Sequence, residues 1–149
     1  VGGSVYSRFG FSDVSALLLA LDAEVILYQR GAVKLSDYQK EAWDRDIITH
    51  IRIAKGQKAA AQSVRQSATD IPTLVCAAAM CRDGLRIVLG ARPARAVIAA
   101  DGLARWDMAV MEEIAGSITF GSNLRAGEAY RRKIAPVLMA RAAAACEEE

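Results

Sequence analysis

The chain has 149 residues, which is enough for one ordinary domain or two small ones. Its 19 Lys and Arg residues nearly balance its 17 Asp and Glu residues, and the formal net charge of +2 argues against a nucleic-acid-binding protein that relies on neutralising phosphates. Apolar residues make up 53% of the chain and charged residues 24%, so the chain can bury a core and is not disordered by composition.

The residues present argue against a membrane span, a signal peptide, a metal site and a Ser-His-Asp triad. No stretch reaches the about 18 uncharged apolar residues of a membrane span, and the first residues do not predict a signal peptide. The cysteines Cys76, Cys81 and Cys146 lack C-x-x-C spacing, which favours unbridged thiols in a reducing, cytoplasmic setting and argues against a metal site on this chain. The single His50 argues against a histidine-based metal site or a Ser-His-Asp triad. We therefore expect bound-cofactor chemistry or a binding role.

The first 55 residues show helical and then extended patterns. Ser12 and Asp13 are good N-cap residues. They precede apolar residues at helical spacing, namely Val14, Leu17, Leu18 and Leu21. Residues 23–29 predict a strand, and residues 36–43 predict a short helical or irregular stretch. In residues 47–53, alternation predicts a strand with Ile47, Thr49, Ile51 and Ile53 on one face and Ile48, His50 and Arg52 on the other.

The remaining residues predict a hairpin followed by helices. Residues 55–58 are the best candidate boundary, and residues 59–66 fit either a helix or a strand. The runs 71–81 and 85–89 are joined by Asp83 and Gly84, which favour a two-residue hairpin turn. One helix carries Trp106, Val110 and Ile114 and is expected to end at Gly116. A last helix begins near Gly127. Its predicted apolar stripe is Tyr130, Ile134, Val137 and Leu138, its predicted solvated face is Arg131, Arg132 and Lys133, and it contains Pro136. This order predicts the α+β class.

Separated stretches of the chain match one family in order and spacing. The stretches are Gly2-Gly3-Ser4, Phe11-Ser12-Asp13 and residues 18–25, 46–53, 65–72, 89–91 and 123–132. Together they resemble the FAD-binding subunit of the molybdenum hydroxylases, the family of xanthine dehydrogenase and carbon monoxide dehydrogenase. The resemblance covers nearly the whole chain, but only about the C-terminal half of such a subunit.

The resemblance implies a fold and a role. Residues 1–55 would form the end of an FAD-binding α/β region, and residues 56–149 a C-terminal domain in which helices cover a small antiparallel sheet. FAD would relay electrons from iron–sulfur clusters on a small partner subunit to an acceptor such as NAD. Molybdopterin on a large partner subunit would carry substrate oxidation. The chain itself would supply binding and electrostatic tuning rather than an acid, base or nucleophile.

The resemblance assigns the FAD phosphates and ribose to the start of the chain. Gly2 and Gly3 would form a loop that lets the backbone approach the pyrophosphate, because glycine lacks a Cβ. Ser4 stands where the family usually has Asn and can still donate one hydrogen bond. Asp13 matches an Asp that binds the adenosine part of FAD, most sensibly through a ribose hydroxyl. The alternatives are an unstructured end for the glycines and a helix cap for Asp13.

Two further positions match residues near the cofactor. Ile48 matches a residue that packs on FAD, although a plain core role is the alternative. Gln62 matches a position that often holds Lys near the flavin, although an exposed polar role is the alternative. Gln can hydrogen-bond a flavin carbonyl but brings no positive charge.

The chain also departs from the family pattern. The upstream glycine loop that holds the other side of FAD does not precede Val1, and Arg8-Phe9-Gly10-Phe11 replaces the usual Ala-Ser-Pro stretch. Val1 itself indicates a processed end, a fragment boundary or an added linker. The resemblance therefore implies an N-terminal half as a further partner. The alternative function is a non-catalytic scaffold for subunit assembly that binds no cofactor.

Overall fold

The computed structural model describes residues 1–43 and 45–148. Short elements occupy the first part of the chain: α1 (Gly2–Tyr6), α2 (Asp13–Ala20), β1 (Glu24–Leu27), β2 (Gly31–Lys34), α3 (Leu35–Tyr38) and β3 (Ile48–Arg52). Longer elements follow: β4 (Ala59–Val64), β5 (Leu74–Cys81), β6 (Gly84–Gly90), β7 (Val97–Leu103), α4 (Met108–Ser117) and α5 (Glu128–Glu148). The predicted α+β class is confirmed.

The strands of the described residues form a smaller and a larger antiparallel sheet. The smaller sheet has the order β2-β1-β3, and the larger has the order β4-β5-β6-β7. Helix α2 packs on one face of the larger sheet, and α4 and α5 cover the other face. Both faces of β5 are therefore buried, which explains its continuous apolar run from Leu74 to Ala79. The sheets divide near residue 55, but α2 shares its core with β5, so the predicted domain boundary stays a prediction.

A bulge in β3 overturns the predicted alternation of residues 47–53. Ile48 pairs with Leu27 and His50 pairs with Ile26, so Thr49 is the extra residue. The extra residue places Ile48 and Ile51 on the same face, and both pack against the core. Ile47 and Ile53, predicted to share a face with Ile51, are 65% and 48% exposed. One extra residue in a strand moves the side chains that follow it to the opposite face, because side chains alternate along a strand.

The hairpin prediction is confirmed, with a shift of one residue. Cys81 pairs with Gly84, so the connecting residues are Arg82 and Asp83. Gly84 has a φ of +127°, and a Cβ there would lie 2.5 Å from the Leu103 carbonyl oxygen. Residues 59–66, whose sequence fits either a helix or a strand, contain the strand β4. The sequence did not predict β2 or β7, and Gly116 lies inside α4 instead of ending it.

The apolar stripes predicted for α2 and α5 are confirmed in part. In α2, Leu17, Leu18 and Leu21 pack in or against the core as predicted. Val14 is 37% exposed, and Ala16 and Leu19 are buried although they were outside the predicted stripe. In α5, which contains Pro136 as predicted, Leu138 is buried and Ile134 packs against the core, whereas Tyr130 and Val137 are 49% and 43% exposed. Small residues occupy much of the buried face of α5, among them Ala135, Ala142 and Ala143. None of the helices in the described part of the chain is long and apolar enough to cross a membrane.

Arg131 contradicts the predicted solvated face on α5. Its side chain is 0% exposed. Within the described residues it donates hydrogen bonds to the carbonyl oxygens of Thr73, Gly121 and Ala126 and to Oδ1 of Asn123, at 2.6 to 2.9 Å. Burial lowers the pKa of this guanidinium. A cation can be buried here because backbone carbonyls replace the water that it loses.

Candidate functional site

An open cleft of about 470 Å³ lies between the start of α1 and the chain that leads into β3. The residues that line it are Gly2, Tyr6, Arg45, Asp46, Ile47 and Ile48. Two of the predicted cofactor residues, Gly2 and Ile48, therefore meet in one place although they are far apart in sequence. We refer to this cleft as the α1–β3 cleft.

Gly2 and Gly3 lie in the first turn of α1 rather than in the predicted loop. The backbone N–H of Val5 donates to the carbonyl of Val1 at 3.1 Å, and that of Ser7 donates to the carbonyl of Gly3 at 2.9 Å. A Cβ built on either glycine would meet nothing within 4 Å. The backbone of both glycines therefore faces open space, where a ligand can approach it closely.

Ser4 joins α1 to α2 through its backbone. Its carbonyl oxygen accepts hydrogen bonds from the hydroxyls of Ser7 and Ser15, each at 3.2 Å. The second of these contacts holds α1 against the first turn of α2. The predicted role of the Ser4 hydroxyl toward FAD stays a prediction.

Asp13 is the first residue of α2 and is engaged by an arginine. Ser12, not Asp13, caps the helix, because the Ser12 hydroxyl accepts the N–H of Ser15 at 3.2 Å. The Asp13 Oδ2 atom accepts a hydrogen bond from Nη2 of Arg65 at 2.7 Å. Its Oδ1 atom is buried and has no hydrogen-bond partner among the described residues. Sequence reasoning missed Arg65 as the partner of this carboxylate.

Asp46 holds one wall of the cleft in place. Its side chain is 5% exposed and accepts backbone N–H groups from Gln29, Arg30 and Ile47 at 2.8 to 3.3 Å. Burial alone would raise the pKa of this carboxyl, but these donors outweigh it and hold the pKa below the ordinary value of 3.8. Asp46 is therefore a structural carboxylate rather than a proton donor. The sequence signal that could have indicated this role is the position of Asp46 directly before a predicted strand.

An aromatic cluster adjoins the cleft at Tyr6. The rings of Tyr6 and Trp43 meet edge to face with centroids 5.1 Å apart. The guanidinium of Arg8 lies 4.1 Å from the Tyr38 ring centroid and 5.0 Å from that of Trp43. Arg8 belongs to the stretch in which the sequence departs from the family pattern. It anchors the chain between α1 and α2 to the segment around α3.

Gln62 is not brought to the α1–β3 cleft. It lies between Ala60 and Val64 on β4, and these two residues pack on the core under α4 and α5. Alternation along the strand places Gln62 on that same face, whereas α2 packs on the opposite face of the sheet. Its assignment as a cofactor-binding residue stays a prediction.

The chemistry of the cleft is suited to binding. It combines open glycine backbone, the exposed cation Arg45 and the partly exposed apolar surfaces of Tyr6 and Ile47. A cation and open backbone suit a phosphate group, and apolar surface suits a planar ring. Among residues 1–43 and 45–148, no group of three or more His, Cys, Asp or Glu side chains could hold a metal ion.

Comparison with known proteins identifies relatives of this fold. No protein-family model matches the chain. YgfM of Escherichia coli K12, which is itself uncharacterized, is 29% identical over 153 residues, covering 99% of this chain and 58% of that protein. YgfM of Escherichia coli O157:H7 matches with the same identity and the same coverage.

Solved structures of oxidoreductases share the architecture. A carbon monoxide dehydrogenase from Hydrogenophaga pseudoflava that lacks the Mo-pyranopterin moiety of its molybdenum cofactor matches with a TM-score of 0.82 and 20% identity. Quinoline 2-oxidoreductase from Pseudomonas putida 86 matches with a TM-score of 0.77 and 17% identity. Each match covers 99% of this chain and 60% of the matched chain. The chain therefore has the fold of a portion of these oxidoreductase chains and spans about 60% of their length.

Proposed function

We propose that the chain is part of the FAD-binding component of a molybdenum-dependent hydroxylase. The observation that carries the proposal is the meeting of Gly2 and Ile48 in the α1–β3 cleft, on a fold shared with carbon monoxide dehydrogenase and quinoline 2-oxidoreductase chains. Bound FAD would supply electron transfer between iron–sulfur clusters on a partner subunit and an external acceptor, while molybdopterin would belong to a large partner subunit.

The residues of the cleft fit the chemistry of a flavin nucleotide. Gly2 and Gly3 leave the backbone open to a pyrophosphate, since a Cβ on either would fill that space. Arg45 adds positive charge beside it, and Ile48 and Tyr6 add apolar surface. The Asp46 carboxylate fixes the wall by binding backbone N–H groups. The chain contributes binding and orientation, and it moves no proton in this scheme.

The neighbouring chains are longer, and we infer that the additional length provides the other side of the FAD site. The present chain corresponds to about 60% of theirs. A cleft that is open on one side is consistent with this inference, because a buried dinucleotide needs contacts around most of its surface. The test therefore uses the protein at its natural length together with the chains that co-purify with it.

The test measures flavin in that complex by its visible absorption spectrum and by flavin released per protein. We expect stoichiometric flavin in the wild type and a large loss in Gly2→Val, whose side chain enters the cleft. Gly116→Val is the matched control, because Gly116 is also helical and has open space around its Cβ position. A wild-type complex without flavin, or equal flavin in both variants, contradicts the proposal. A flavin-free complex that retains its companion chains would favour the scaffold role.

The same measurement tests the two polar residues assigned by resemblance. If Asp13 binds the ribose, Asp13→Asn weakens flavin retention, whereas Asp83→Asn in an exposed turn leaves it unchanged. If Gln62 contacts the flavin, Gln62→Ala also lowers flavin retention. Unchanged retention in Gln62→Ala would restrict the flavin site to the α1 side of the molecule.

A further inference from the structure

A second cavity lies between α3 and the start of β7. Its walls come from the end of α2, from α3 with the two residues that follow it, and from residues 95–98, which lead into β7. We refer to it as the α3–β7 cavity. It shares no residue with the α1–β3 cleft, so binding at one place does not require binding at the other.

Apolar side chains form one wall of the α3–β7 cavity. Leu19 is 3% exposed, and Ala96, Val97 and Ile98 are half-buried. Water against such a wall makes few hydrogen bonds, so an apolar group that displaces it gains affinity. The cavity volume is about 220 Å³. Because a water molecule occupies about 30 Å³ in the liquid, this volume gives room for a ligand of about seven to ten non-hydrogen atoms.

Gln39 presents a nearly buried amide to the cavity. The residue is 6% exposed. Its backbone is fixed on both sides, because its N–H donates to the Leu35 carbonyl at 3.0 Å and its carbonyl accepts a hydrogen bond from Nη1 of Arg95. Its side-chain amide, in contrast, forms no hydrogen bond with any residue that the structure describes. Buried polar groups need partners, so this amide indicates that a hydrogen-bonding group occupies the cavity.

Arg95 brings a positioned guanidinium to the same cavity. Its Nη1 atom is used by the Gln39 carbonyl, which fixes the side chain in place. Its Nε and Nη2 atoms bind no residue in the described part of the chain. These two donors form the fork with which an arginine binds both oxygens of a carboxylate. Arg86 binds Asp101 with the same two atoms, at 2.9 and 2.8 Å, so the fold already contains one such pair.

Lys40 adds a second cation, and none of the described residues that line the cavity is acidic. Its ammonium group lies 3.7 Å from the carboxylate of Asp37, and the two side chains are 77% and 64% exposed. So exposed a pair contributes little, and Lys40 can turn to an anion in the cavity. The lining therefore combines two cations with an apolar wall.

We propose that the α3–β7 cavity binds a small monocarboxylate with an apolar body, of the size of benzoate or 3-methylbutanoate. The carboxylate binds the free fork of Arg95 and the ammonium group of Lys40. The Gln39 amide donates a further hydrogen bond to it, and the apolar body lies against Leu19 and Ile98. Each group in the lining that lacks a partner within the described residues then has one.

Other classes of ligand fit the cavity less well. A dinucleotide exceeds its volume of about 220 Å³. Inorganic phosphate is strongly hydrated and would leave the apolar wall against water. A neutral apolar molecule would leave the Gln39 amide and both cations unused. A metal cation is disfavoured because Arg95 and Lys40 would repel it.

The test is isothermal titration calorimetry on the protein at its natural length, together with the chains that co-purify with it. The probes are benzoate and 3-methylbutanoate, their neutral amides and inorganic phosphate. We expect at least one acid to bind with a dissociation constant of about 1 mM or lower, and about tenfold more tightly than its amide. No binding of either acid, equal binding of acids and amides, or tighter binding of phosphate than of both acids would overturn the proposal.

Substitutions in the lining assign the binding to this cavity. Gln39→Leu keeps the size of the side chain and should weaken binding of the acid about fivefold without lowering the melting temperature, because no hydrogen bond within the described chain is lost. Arg95→Gln should weaken binding about tenfold or more, whereas Arg82→Gln in the exposed β5–β6 turn should leave it unchanged. Lys40→Gln, at an exposed side chain, provides the measurement if Arg95→Gln does not fold. Unchanged affinity in both Gln39→Leu and Lys40→Gln would overturn the proposal.

Discussion

Arg131 on α5 donates a hydrogen bond from Nη2 to Oδ1 of Asn123 at 2.6 Å, although both residues lie in a stretch that looks polar and exposed. The arginine is 0% exposed, and its remaining donors bind the carbonyls of Thr73, Gly121 and Ala126. One side chain thereby connects the last helix, the loop before it and the start of β5. The next helix position, Arg132, instead pairs with Glu128 at the surface.

Arg131→Met should lower the free energy of unfolding by about 3 kcal/mol, because it leaves buried carbonyls without donors. Chemical unfolding monitored by circular dichroism measures this loss. Arg132→Met is the matched control and should cost about 0.5 kcal/mol, since an exposed ion pair contributes little. Equal losses in the two variants would show that Arg131 does not organise this region.

Gly10→Ala should lower the free energy of unfolding by about 2 kcal/mol or more, because the new methyl group overlaps the Ala94 carbonyl oxygen. Gly116→Ala should instead raise it by about 0.5 kcal/mol, because Gly116 is helical and has open space around its Cβ position. The comparison uses the same unfolding measurement. Tolerance of alanine at position 10 would contradict the close approach of the two loops.

Asp46→Asn should destabilise the protein at neutral pH and lose its effect in acid. The folded pKa of Asp46 lies below the ordinary value of 3.8 because backbone donors outweigh the opposing effect of burial. A depressed pKa gives stabilisation that is present above 3.8 and disappears as the pH falls through the lower folded value. Urea unfolding from pH 7 down to about pH 3 measures the difference between the variant and the wild type.

The exposed Asp83 provides the matched control for the substitution of Asp46. Asp83→Asn should change the unfolding free energy little, because the residue lies in the exposed β5–β6 turn. A difference between wild type and Asp46→Asn that stays constant down to about pH 3 would show that the Asp46 carboxylate is not held by its backbone donors.

Cys81 should react with thiol reagents before Cys76 in the folded protein. Cys76 is 0% exposed, and burial raises its pKa far above the ordinary value of 9.0. Cys81 is only partly buried, and its pKa is raised chiefly by burial. Mass spectrometry after brief labelling should find the modification on Cys81, and Cys81→Ser should remove it. Early labelling of Cys76 would contradict the burial of β5 on both faces.

The local elements could be predicted where one pattern dominates a short stretch. The β5–β6 hairpin follows from two apolar runs around a glycine turn, and α5 begins at Glu128, beside the predicted Gly127. The strand β7 was missed because its sequence, with Asp101 and Gly102 inside it, has weak strand character. Its place is set by pairing with β6, which a local pattern cannot report.

The candidate site was predictable only in part. Gly2 and Ile48 were named from the sequence and meet in the cleft. The conformation of Gly2 and Gly3 was not predicted, because the sequence suggested a loop and the structure has a helix turn. The partner of Asp13 was also missed. Arg65, which follows β4, contacts the Asp13 carboxylate because α2 packs on the larger sheet.

The α+β class, several of the main elements and the residue types available for binding follow from composition and from neighbours along the chain. The bulge at Thr49, the burial of Arg131 and the full exposure of Leu124 appear only in the folded chain. Each of these depends on atoms contributed by distant segments, such as the carbonyl of Thr73 that receives the guanidinium of Arg131. Burial and register are settled by such contacts, and the polarity of a residue does not fix them.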